Sequence, residues 1–181
     1  MKENNAIRTI KVSLVVVFVA AWLAVTPYCF GQVGSATCAA DPELRKLDYW
    51  VGSWSASGSA SSKVVSKVNL SLDNCMIVEH WDGGTGHVTE KMFAYSPDDK
   101  SWYGMFADNQ GRAHVFLDGS VSSDKAEFKG PSRGPKGEEV LNKLTIARTS
   151  PNKVQETWEK STDHGTTWTT VYRADYTRAN P

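Results

Sequence analysis

The sequence has no surplus of charge. Its 181 residues carry 20 Lys and Arg against 20 Asp and Glu. A protein that grips a phosphate backbone needs excess positive charge, so nucleic acid is not an expected partner. It has no apolar run of the roughly 20 residues that a spanning helix requires. No phosphate loop or Cys-His nucleophile pattern occurs. The four histidines, His80, His87, His114 and His164, include no pair spaced i, i+2 on one strand face, so no metal site is expected. Past the first fifty residues no stretch reads as a crossover helix, which excludes a doubly wound α/β fold.

What is present begins with an asymmetry. Lys2, Arg8 and Lys11 precede a fourteen-residue apolar run, Val12 to Val25, broken only by Ser13 and ended by Thr26-Pro27. This is the head, core and exit of a secretory signal peptide, with residues 1–31 removed and 32–181 left as a single domain. The alternative is an uncleaved anchor. Neither Cys29 nor Cys38 follows the Leu-small-small approach of a lipoprotein. From Gln32 onward there are 17 basic and 19 acidic residues, a net of −2, and 15 aromatics including six Trp, ample for a packed core. Export to a periplasmic or extracellular place leaves Cys38 and Cys75 as an even pair in an oxidising compartment, and a disulfide between them is expected. Closing a loop of about 38 residues stabilises by roughly 4 kcal/mol at most in the chain-entropy treatment.

Asp41 to Tyr49 is the one stretch expected to be helical, with Asp41 as N-cap and Pro42 and Glu43 in the first turn. Beyond it the pattern alternates, with turn residues every 8–12 positions. Strands are expected at about 50–58, 63–71, 75–82, 87–96, 101–107, 112–118, 125–129, 139–148, 152–159 and 167–177. Ten short strands with hairpin-length connections suit a closed up-and-down antiparallel β-barrel, a sandwich being the runner-up. Gly130 to Gly137 has no apolar anchor and is expected to form a long solvent loop.

Two motifs stand out. Gly52-Ser53-Trp54 follows the expected helix and opens the first strand, as in the Gly-x-Trp start of lipocalins and related calycin barrels. There the tryptophan plugs the closed end and a late basic residue, here Arg173 or Arg178, lies across it. Ser161-Thr162-Asp163-His164-Gly165-Thr166-Thr167-Trp168 fits the Asp-box hairpin, in which Asp163 accepts turn amides, Gly165 takes positive φ and Trp168 packs beneath. Asp-boxes recur once per blade in propellers, but 150 residues cannot supply the blades, so a hairpin staple is the reading here.

The order Leu47-Asp48-Tyr49-Trp50-Val51-Gly52-Ser53-Trp54, Asn74-Cys75 with Glu79 and Trp81, Trp102, Asp108 with Gly111, Gln155 with Glu159-Lys160-Ser161, and Tyr176-x-Arg178 resembles the exported bacterial proteins grouped as domain of unknown function 1579. The resemblance spans about residues 45–178 and is patchier at 120–145, where Asn142-Lys143 departs from the pattern. It implies a calycin-like barrel outside the cytoplasm and no established reaction. Haem barrels of similar shape carry their iron ligand on a late strand, and the late strands here lack histidine, so no cofactor is expected.

Period-two counting gathers aromatics with single polar groups: Lys91, Phe93 and Tyr95; Trp102 and Phe106; His114 and Phe116; Glu156 and Trp158; Tyr172 and Tyr176. With Glu79 and Trp81 these are the candidate ligand-binding residues, since a small-molecule cavity has apolar walls and a few orienting groups. The expected partner is a small hydrophobic molecule, bound by a monomer or dimer with no membrane span after cleavage. The competing readings are a filled core serving an envelope interaction module, and a cavity enzyme using Glu79, His114 or Tyr95, or pairing Glu79 and Glu156 as acid and base.

Overall fold

The computed structural model describes residues 37–57 and 63–179. The expected signal peptide and its cleavage site lie outside the described residues. Ten strands follow one another: β1 Gly52–Ser57, β2 Lys63–Ser71, β3 Met76–Asp82, β4 Val88–Ser96, β5 Ser101–Asp108, β6 Ala113–Val121, β7 Lys125–Arg133, β8 Glu139–Ser150, β9 Lys153–Ser161 and β10 Thr169–Arg178. Each pairs antiparallel with the next, and β10 pairs with β1, so the sheet closes into an up-and-down barrel with no free edge. The seam between β1 and β10 is short, running from Trp54 opposite Arg178 to Ala56 opposite Tyr176.

The stretch Asp41 to Tyr49 is not an α-helix. It is a series of turns that ends in a 3-10 turn at Asp48–Trp50. Asp41 does accept the Glu43 amide at 2.8 Å, as a cap would. The bonds that follow, however, span three residues, from Lys46 N to Glu43 O and from Trp50 N to Leu47 O. Leu44, Leu47, Tyr49 and Trp50 are all buried under the barrel end. That burial, rather than helix propensity, dictates the tighter winding.

Trp50 and Trp54 stack at 5.1 Å and close this end of the barrel. The basic residue across the plug is Arg178, not Arg173. Its guanidinium carbon lies 4.1 Å from the Trp54 ring centre. Its Nη1 donates to Val51 O at 2.9 Å and its Nη2 to Tyr49 O at 3.2 Å. Arg173 is exposed on the outer face. Gly52 has φ of 136°, and a Cβ there would overlap the Arg178 guanidinium, which is why glycine opens this strand. The Cys38–Cys75 disulfide, with Cα atoms 4.9 Å apart, fastens the start of the described chain to the turn before β3 at the same end.

The expected loop 130–137 is a second correction. Gly130 to Arg133 continue β7, paired with β8 down to Arg133 opposite Glu139. Gly130 is not a turn residue. A Cβ there would overlap the Val115 carbonyl of β6, so the glycine is what lets the two strands press together.

Candidate functional site

Because neighbouring strands alternate in direction, one end of the barrel holds the plug. The other end holds the β3–β4, β5–β6, β7–β8 and β9–β10 connections. The interior divides by height between them. Toward the plug it is filled: Ile77, Phe93, Phe116, Phe128, Leu144, Ile146 and Tyr176 are fully buried. Phe93 packs on Phe128 with ring centres 4.6 Å apart. Toward the open end a cavity of about 310 Å3 remains, with walls that include Trp81, Phe106, His114, Trp158 and Tyr172.

The floor of the cavity is an ionic cluster. Lys91, on β4, is 3 % exposed. Its ammonium donates to Glu79 Oε2 on β3 at 3.0 Å and to Glu156 Oε1 on β9 across the lumen. Ser66 Oγ donates to Glu79 Oε1 at 2.8 Å. Tyr176 OH donates to Glu156 Oε2 at 3.1 Å and is 2.9 Å from the Tyr172 hydroxyl. Trp81 Nε1 donates to Tyr176 OH at 2.9 Å. Burial alone would lower the Lys91 pKa, but the facing Glu156 and Glu79 carboxylates outweigh it and hold the ammonium well above the usual lysine range. Burial pushes the Glu156 carboxyl up, opposed by Lys91. Burial, then the Glu156 charge, raises Tyr172 to about 12. Each buried polar atom of this cluster therefore has a partner, as a buried ionic group requires. The two glutamates meet through Lys91 rather than facing each other directly.

The rim is basic. Asp108 receives the Arg112 amide at 2.9 Å and the Arg112 Nε at 2.6 Å. Against the cost of burial, these bonds and those from His87 and Gln110 hold its carboxyl well below the usual range. Lys160 and Arg112 both line the cavity beside His114. Burial, then these two charges, lowers the His114 pKa, and its ring lies 5.2 Å from Trp158. Its Nδ1 and the Thr89 hydroxyl are sealed from water without a hydrogen-bond partner. Thr89 also lines the cavity. Among the described residues Lys160 forms no ion pair, and no cluster of His, Cys, Asp and Glu is arranged to hold a metal ion.

Of the candidate residues, Trp81, Lys91, Phe106, His114, Glu156, Trp158 and Tyr172 come together at the cavity. Glu79 lies beneath, bound to Lys91. Phe93, Tyr95, Trp102 and Phe116 do not line the cavity and belong to the core. His87, Thr89, Arg112, Lys160 and Val171 also line it, though none is among the candidate ligand-binding residues. Thr89 and Lys160 continue the inward period of Lys91 and Trp158, a signal that was there to extend. His87 and Arg112 come from turns, where periodicity says nothing.

The Asp-box hairpin sits on the same rim. Asp163 accepts the Thr167 amide at 2.9 Å and its hydroxyl at 2.6 Å, and Gly165, with φ of 86°, donates to Ser161 Oγ at 2.8 Å. Trp168 Nε1 closes on Gly165 O at 3.0 Å, and Lys143 covers its ring at 4.2 Å. Compared with known protein families and with curated proteins, the chain matches none.

Proposed function

We propose that this chain is an exported, calycin-like barrel of the domain of unknown function 1579 type that binds a small, largely apolar molecule in the open half of its barrel. The observation that carries the reading is the cavity of about 310 Å3 walled by Trp81, Phe106, Trp158 and Tyr172 above a fully paired floor. Sites for small molecules begin at about 300 Å3 and combine aromatic walls with few polar groups. The Cys38–Cys75 disulfide supports a place outside the cytoplasm. Among the described residues, no helix is long and apolar enough to cross a membrane. Titration with a hydrophobic dye while following tryptophan emission tests the reading. Saturable quenching that Trp158→Ala weakens is expected, and no saturable change up to the dye's solubility would overturn it.

A second reading is an interaction module. Met105 on β5 stands opposite Val115 on β6, and both are exposed on the outer wall with Leu117. Light scattering over a concentration series tests this. A mass that stays monomeric throughout speaks against self-association through that face.

A further inference from the structure

The distribution of charge along the cavity says what kind of apolar molecule fits, if the cavity is the binding site proposed above. At the floor, one ammonium is shared by two carboxylates, and the remaining Glu156 oxygen is bonded to Tyr176. An anion placed there would face Glu156 with no free donor to meet it. The rim is the opposite. Arg112 has its counter-charge in Asp108, but Lys160 has none among the described residues. His114, on the same cavity wall, is driven toward the neutral form by burial and by both cations.

We infer that the cavity takes a flat aromatic monoanion, its ring against the wall formed by Trp158, Phe106 and Tyr172 and its anionic group at Lys160 and Arg112 on the rim. On the rim, Lys160 is the cation without a partner among the described residues and calls for a negative charge there, while the second carboxylate of the floor keeps an anion away from Glu156. The aromatic walls, Phe106 and Trp158 among them at 4.9 Å and 84°, offer ring edges and faces on which an aromatic guest can pack. A volume of about 310 Å3 is room enough for one or two fused rings. A cation is repelled at the rim before it can reach Glu156.

Calorimetric titration of the mature protein with 2-naphthoate and, separately, with its uncharged isostere 2-naphthamide tests this. The carboxylate is expected to bind at least ~10-fold more tightly at low salt, and the gap should narrow as salt screens the rim. Lys160→Gln should remove most of the preference. Equal affinity for the two probes, or a preference that Lys160→Gln does not alter, would overturn the charge assignment and leave the binding barrel standing. Heat from neither probe at saturating concentration would overturn both readings.

Discussion

Lys91 on β4 bonds Glu79 on the adjacent β3 at 3.0 Å and, with the same ammonium, Glu156 on β9 across the lumen. One side chain therefore ties β9 to β3 and β4, with which it shares no ladder. Removing it leaves two buried carboxylates facing each other. Lys91→Met is expected to cost about 3–5 kcal/mol. Combining it with Glu79→Gln and Glu156→Gln should recover most of that loss, because the uncompensated charges go too. Urea unfolding of the two variants checks the pair, and an unchanged midpoint for Lys91→Met would count against the cluster as a structural tie.

Arg178 and Arg173 offer a matched control. Arg178→Ala removes the stacking on Trp54 and leaves the Val51 and Tyr49 carbonyls without their donor. A loss of about 2 kcal/mol or more is expected. Arg173→Ala, on the exposed outer face, should stay within about 0.5 kcal/mol. Thermal melts followed by circular dichroism separate the two.

The Asp-box should make the rim acid-sensitive. Bonds from the Thr167 hydroxyl and amide and from Ser161 lower Asp163 from the usual 3.8 to about 2. A carboxylate lowered by folding stabilises fully above its unfolded pKa and ceases to do so as pH falls through the folded one. The stability difference between the parent protein and Asp163→Asn is therefore expected to be constant above pH 5 and to shrink between about pH 4 and 2. A difference that does not change over that window would remove the staple from the account.

Cys38→Ser with Cys75→Ser should lower stability by up to roughly 4 kcal/mol. Reductant should bring the parent's melting temperature down to that of the double variant. Two alkylated cysteines in unreduced protein, read by mass spectrometry, would show that the bridge does not form.

Thr89 buries a hydroxyl without a partner. Thr89→Val keeps the shape and removes that polar atom, so stability should be unchanged or rise by about 1 kcal/mol. A loss larger than that, in equilibrium unfolding, would mean the hydroxyl has a partner after all.

The strands were legible because every turn carries its own Gly, Pro, Asn or Asp. Which residues share a face was legible from the two-residue period, but not which face of each strand points inward. The same parity separates Arg173 from Tyr172, Tyr176 and Arg178, and applied to the last strand it would have chosen Arg178. Height along the barrel was not legible. Phe93 and Lys91 share a face, yet one is core and the other floor, and that depends on how each strand is staggered against its neighbours. Val171 joins Tyr172 at the cavity because the register slips between Thr170 and Tyr172, a local irregularity that alternation hides. Gly130 misled for a related reason. A glycine that allows two backbones to touch looks, in one dimension, like a glycine that turns the chain.

The seam between β1 and β10 sets the order of events when the barrel assembles. The eight hairpins from β2 to β10 can each zip from a nearby turn, but Trp54 meets Arg178 only after nearly the whole domain has been gathered. Closing so long a loop is costly before any contact rewards it. The seam, which is also the shortest ladder, is then the last part to form and the first to breathe. The Arg178 clasp is what keeps a finished sheet from remaining an open one.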